Sequence, residues 1–337
     1  MRSHALTFLS NSKTLSRLSL VSLLICAPFS SYADQWHLSF DNDVVIGQDG
    51  DYSNGFVFGW QALPESDFSS APWPFSWQQA LRFSSQSQTS QWGAKIYQRM
   101  WTPSEIEYDY AQPNDRPYAG LLELESFTGS YSASFAQKNW FSVGVIGPAS
   151  GAQTMQELVH KITPSTPPKG WQYQVENQLT LQMAYEVDAL AFRQDATDDS
   201  QWELSGHSHT MLGNFRSEAN LGFTLRWGDD LADSFGQLSS HAGHYGQFSA
   251  TARKSGSWTV YSRAQLGYRF NDLTIDGDVP YDSHVQMKHQ QVRASTGVIW
   301  AFPTWSVSWS VEVYTSEYEP DPNSWHGYGV LSYSFVL

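Results

Sequence analysis

Residues 36–43 read W-H-L-S-F-D-N-D and residues 53–60 read S-N-G-F-V-F-G-W, with a short Gly/Asp-rich stretch between them. Side chains of an extended chain alternate between two faces. Trp36, Leu38 and Phe40 therefore share one face of the first segment, and Phe56, Phe58 and Trp60 share one face of the second. The turn makes the pair a hairpin and brings Asn42, Asp43 and Ser53 together at its facing ends. A soluble sheet would bury the apolar stripe. An outward stripe, with amide, carboxylate and hydroxyl groups at the strand ends, suits a membrane barrel that carries chemistry at its rim.

Working outward, alternation recurs over residues 92–101, 121–127, 140–145, 179–185, 202–212, 221–227, 258–270, 292–302, 305–314 and 328–337. The clearest run is Trp305, Val307, Trp309, Val311 and Val313, with Ser306, Ser308, Ser310 and Glu312 opposite. With the opening hairpin and a weaker candidate at Ala80–Phe83, the pattern predicts an all-β chain: a transmembrane antiparallel barrel of roughly twelve strands. A soluble β-sandwich also alternates. The barrel is favoured by Trp and Tyr at strand ends and by the tail Tyr333-Ser334-Phe335-Val336-Leu337. It is favoured too by a composition with 15% aromatic and only 15% charged residues. A mean hydropathy of −0.41 excludes a helical membrane bundle but not a barrel, whose lumen and loops dilute the apolar signal.

Residues 1–33 read as a signal peptide: Arg2, Lys13 and Arg17 precede an apolar core over 18–29, and Ser31-Tyr32-Ala33 fits a cleavage site. Ile25 stands before Cys26 where lipoprotein processing expects a small residue. Residues 34–337 then form one barrel domain without cysteine, held by sheet closure rather than disulfides. Losing three of the 19 Lys+Arg leaves 16 against 33 Asp+Glu, a net charge of −17. That balance argues against a nucleic-acid partner and means that an anionic lipid would need a local basic patch or a bridging cation. Nothing in the sequence speaks to oligomeric state.

One segment breaks the strand rhythm. Met155, Leu158, Val159 and Ile162 follow a 3–4 spacing and Pro164, Pro167 and Pro168 follow, which predicts one short amphipathic helix near residues 152–163 in a loop. Gln156 and His160 share a face of it. His160 is the candidate general base, with Gln156 to orient it or a water; an exposed loop histidine is the plainer alternative. Asn42, Asp43 and Ser53 could hold a hard cation or stabilise an oxyanion, or be turn chemistry. His207, His209, His241 and His244 read as lumen or loop residues. No G-x-S-x-G elbow supports a serine nucleophile.

The stretches F-D-N-D (40–43), D-Y-S-N-G (51–55), N-D-R-P-Y-A-G (114–120), V-G-V-I-G-P-A-S-G (143–151), Q-E-L-V-H (156–160) and K-G-W (169–171) occur in this order. Across nearly the whole mature length the chain thereby resembles the outer-membrane lipid A 3′-O-deacylases of the LpxR type. The resemblance implies a twelve-stranded barrel in the bacterial outer membrane, with its site near the outer rim between wall and loop helix. It implies lipopolysaccharide as substrate, Ca²⁺ dependence, and hydrolysis of the ester-linked 3′-acyloxyacyl group. Asn42 and Asp43 match the family's Asn-Asp pair, Ser53 stands where Thr is frequent, and Gln156 and His160 match the helix pair. The family's acidic calcium ligand shortly after the histidine has no counterpart in Thr163–Pro168 of this chain.

On that basis His160 is expected to activate water, with Ca²⁺ on Asp43, aided by Asn42, stabilising the oxyanion. Lys95, Arg99 and Arg116 are expected to meet the sugar phosphates, with lumen or rim salt bridges as the alternative. Two rival readings stand beside this one: a barrel phospholipase with Ser53 as nucleophile, and a non-catalytic barrel such as a porin or adhesin.

Overall fold

The computed structural model describes residues 34–43, 51–84, 88–162, 165–244 and 256–337; the expected signal peptide lies outside them. In chain order the strands are β1 (Asp34–Asn42), β2 (Asp51–Ala62), β3 (Thr89–Thr102), β4 (Ala119–Tyr131), β5 (Phe135–Ile146), β6 (Gln178–Asp195), β7 (Gln201–Gly213), β8 (Arg216–Gly228), β9 (Ser257–Asp272), β10 (Gln286–Met287), β11 (Gln290–Ala301), β12 (Trp305–Thr315), β13 (Tyr318–Glu319) and β14 (Trp325–Val336). β10 and β13 pair as a separate ribbon, and the other twelve close into one antiparallel barrel. β14 seals it against β1, from Gln35 opposite Val336 to Asn42 opposite Gly329. Closure leaves no unpaired edge, the condition for a sheet to cross a bilayer.

The barrel is apolar outside and polar within. Leu38, Phe58, Ile96, Leu124, Val143 and Leu181 are exposed, whereas Gln35, His37, Ser39, Lys95, Glu123 and Glu186 are buried. The lumen is packed. Part of the long β8–β9 connection enters it from the end where the chain termini lie, here the terminal end. Lys138 Nζ on β5 donates to the carbonyls of Gly236 (2.7 Å) and Leu238 (2.8 Å) of that segment. Glu125 accepts from His241 (2.7 Å) and His244 (2.6 Å). The cavities left among these side chains are about 10, 20 and 30 Å³, each room for roughly one water.

At the opposite, loop end, Arg116 is fully buried between Asp51 and Glu317, and Arg269 binds Glu317 (2.6 Å) and Asp272 (2.9 Å). The D-Y-S-N-G and N-D-R-P-Y-A-G stretches thus meet each other, through the Asp51–Arg116 pair that clamps the β1–β2 hairpin to the β3–β4 loop. The helices are α1 (Phe75–Gln78), α2 (Ala152–Ile162) and α3 (Leu273–Asp276). α2 is the expected loop helix; its expected last residue, Thr163, lies outside the described residues. Ala80–Phe83 is not a strand. It overlaps the 3₁₀ turn Gln79–Leu81, because this connection folds back onto the wall and bonds to it through side chains.

Candidate active site on the outer wall

α2 lies against the outside of the barrel, and the register shows where. Asn42 pairs with Asn54, Asn54 with Met100 and Met100 with Gly120, so these four form one row across β1–β4 at the loop end. Over that row sits the start of the helix. A Cβ at Gly120 would stand 2.4 Å from the Cβ of Ala152, so glycine there lets the helix approach the wall. Met100, Ile106, Tyr118, Ala152 and Trp171 form a buried cluster with Met155 packed on it. Asn42, with the same parity as the exposed Leu38 and Phe40, lies two strand spacings from Met100, about 10 Å.

The strand part of the site is built on a β-bulge. The β2–β3 register skips Ser53, which is the extra residue between Tyr52 and Asn54. Its hydroxyl bonds Thr102 Oγ1 at 2.6 Å, and its carbonyl accepts from Asn42 Nδ2 at 3.4 Å. Ser53 therefore ties the end of β1 to the end of β3. Asp43 is buried just beyond β1.

The helix part depends on two loops that zip together. The Ile106 carbonyl accepts from Lys169 N (2.8 Å) and from the Tyr118 hydroxyl (3.1 Å). Gly170 is required by close approach, since a Cβ there would come 2.4 Å from the Tyr118 ring. This sets Trp171 against Tyr118 (centroids 4.9 Å apart), with its indole N–H donating to Gln156 Oε1 at 2.7 Å. One turn on, His160 Nδ1 bonds the Thr166 carbonyl at 2.6 Å. Thr166 precedes Pro167, which restricts it to extended backbone and so fixes where that carbonyl points.

The helix differs from expectation in one respect. Ala152, Met155 and Gln156 face the wall, while Leu158 and Ile162 are exposed. Two apolar side chains are thus exposed on the helix face away from Gln156 and His160.

Asn42, Asp43, Ser53, Gln156 and His160 all come to the loop end, on the strands and helix joined by the Asn42–Gly120 row. Lys95, Arg99 and Arg116 do not join them, and the expectation that they meet sugar phosphates is revised. Lys95 Nζ donates to the Gly243 carbonyl (2.8 Å) deep in the lumen. Arg99 lies 3.5 Å from Glu123, with its guanidinium over Tyr97 and Trp101. Arg116 belongs to the mouth network. Exposed cations near His160 are instead Lys161 and Lys169; sequence alone gives neither of them, nor Trp171 or Thr166, a role at the site.

Calcium takes six to eight oxygen ligands, typically including several carboxylates. Among the described residues no group of three or more His, Cys, Asp or Glu side chains is placed to hold a metal ion. Residues 163–168 also offer no carboxylate. The described residues thus bring no cluster of carboxylates together for the ion, and no chemical step is routed through it below.

Comparison with known proteins agrees with this architecture. The family model described as "Outer membrane protein LpxR" matches residues 15–337. Among solved structures, LpxR from Salmonella typhimurium superposes with a TM-score of 0.74 at 19% identity, covering 89% of this chain and 99% of that one. The β domain of the Bordetella autotransporter BrkA covers 90% of this chain and 98% of its own, at 11% identity and a TM-score of 0.44, too low to carry argument. No curated protein sequence matches the chain.

Proposed function

The chain belongs to the outer membrane protein LpxR family, and from that premise we propose that it is a lipid A 3′-O-deacylase, hydrolysing the ester-linked acyloxyacyl group of lipopolysaccharide with His160 as general base. It is a protein of the bacterial outer membrane, and a lipopolysaccharide substrate in the outer leaflet requires the loop end, which carries the site, to face outward.

The observation that carries the reading is the bond between His160 Nδ1 and the Thr166 carbonyl. A carbonyl only accepts, so Nδ1 bears the proton and Nε2 keeps its lone pair for water. Water losing a proton to Nε2 attacks the ester carbonyl. The tetrahedral oxyanion then needs donors. Trp171 occupies the oxygen of Gln156, which leaves the amide nitrogen as its donor end. Asn42 supplies the second amide from the strand side. Collapse of the intermediate releases the fatty acid, and the proton on Nε2 passes to the leaving sugar oxygen. Lys161 and Lys169 are the exposed cations near His160 that could meet phosphate.

The serine-nucleophile and porin readings fare worse. The partner of the Ser53 hydroxyl is Thr102, which cannot act as a base, so a serine nucleophile lacks activation. A porin requires an open lumen, and this one is filled by its own chain.

The test is mass spectrometry of lipid A after incubation of lipopolysaccharide with the purified protein in detergent micelles. Loss of the 3′-acyloxyacyl group is expected, and an unchanged acyl pattern with or without added calcium would reject the activity. Chelation is expected to slow the reaction without abolishing it. Complete loss, restored by calcium in the wild type but not in Asp43→Asn, would mean that residues beyond the described set complete a metal centre.

A further inference from the structure

The β2–β3 connection carries a second surface, independent of the catalytic reading. Phe58, Ile96, Leu124, Val143 and Leu181 form one register row across β2–β6, all facing outward and all exposed. Moving toward the terminal end, the outward positions of β4 and β5 become Ser126, Thr128, Ser130, Gln137 and Asn139. Bare polar side chains on a lipid-facing wall are unfavourable. Here Thr128, Ser130, Gln137 and Asn139 are buried although they face outward.

Residues 63–84 cover this part of the wall. Phe68, Ala71 and Phe75 pack against Trp92, with Trp60 and Ala94 beside them. Gln78 Nε2 donates to the Ser126 carbonyl and to Asn139 Oδ1, both at 3.3 Å. Gln137 accepts from Phe83 N (3.2 Å) and donates to the Ser84 carbonyl (2.6 Å). With its polar groups spent on the wall, the segment turns Trp73 (81% exposed), Trp77 (41%) and Phe83 (68%) outward. Trp77 lies 4.7 Å from Phe141, one step from the bare apolar row, so the aromatic surface continues the lipid-facing belt. Aromatic rings concentrate where acyl chains give way to headgroups.

We propose that residues 63–84 are an interfacial anchor whose Trp73, Trp77 and Phe83 insert into the phospholipid leaflet at the terminal end of the barrel. The segment restores an apolar exterior over strands whose own side chains are too polar for lipid, and fixes the depth at which the barrel sits.

Nitroxide labels test this in the full barrel reconstituted in phosphatidylethanolamine/phosphatidylglycerol vesicles. The barrel, residues 34–337, has no cysteine of its own, so Trp73→Cys and Phe83→Cys are each labelled alone. Leu181→Cys serves as the lipid-belt reference and Asp198→Cys, in an exposed turn at the terminal end, as the aqueous one. Labels at 73 and 83 are expected to relax with dissolved oxygen as at 181, and weakly with a water-soluble nickel chelate. Nickel accessibility matching position 198 would overturn the proposal. So would shielding from both agents, which would point to a protein partner on this surface.

Discussion

Trp171 acts at the site only through Gln156. Trp171→Phe keeps an aromatic ring against Tyr118 but removes the indole donor, a loss of about 1 kcal/mol and so roughly fivefold to tenfold in kcat. Steady-state kinetics should show it in kcat with little change in KM. Arg116 makes the opposite case, of stability without chemistry. Arg116→Ala leaves Asp51 and Glu317 buried with less compensation and should cost about 3–5 kcal/mol, read as a lower urea midpoint. At this scale the sequence was half legible. The alternation that makes Ile96 face lipid turns Lys95 and Arg99 inward, so their parity already argued against phosphate contact. Nothing local announces that Asp51 and Arg116 pair, since the contact depends on how two loops meet.

The loop helix is held to the wall by the close approach at Gly120. Gly120→Val would drive a side chain into Ala152 and Ser150. It should lower the rate by about 100-fold through misplacement of Gln156 and His160, while the barrel's electrophoretic folding shift is retained. A helix that stays active on this substitution would not be seated as described. The twelve barrel strands were readable because period-two alternation survives inside a barrel, and the helix was readable from its 3–4 spacing and following prolines. Its buried face was not, because the spacing of Met155, Leu158, Val159 and Ile162 does not say which of them meets the wall, and the wall takes Met155 but not Leu158 or Ile162. The Ala80–Phe83 stretch misled for a related reason: its apolar residues serve a connection folded on the outer wall, not a strand within it.

Across the whole molecule, closure brings the first strand, the bulge at the start of β2 and a helix from the β5–β6 connection to a single face. The same closure, with the lumen segment held by Lys138 and Glu125, leaves no water-filled path among the described residues, so planar-bilayer recordings should show no steady conductance. Regular single-channel openings would mean that the segment leaves the lumen. Sequence patterning foresaw the barrel but not its filling, since the inserted segment has no periodicity and its bonds to Lys138 and Glu125 come from strands distant in sequence. The account's central claim is that the amide on β1 and the imidazole on α2 act on one substrate together. A double-mutant cycle of Asn42→Ala and His160→Ala on kcat/KM for lipid A deacylation tests it most directly. Groups serving one transition state should be strongly non-additive, with the double variant barely slower than His160→Ala alone, itself down about 10²–10⁴-fold. Two losses that simply multiply would place the groups in separate roles and contradict the shared site.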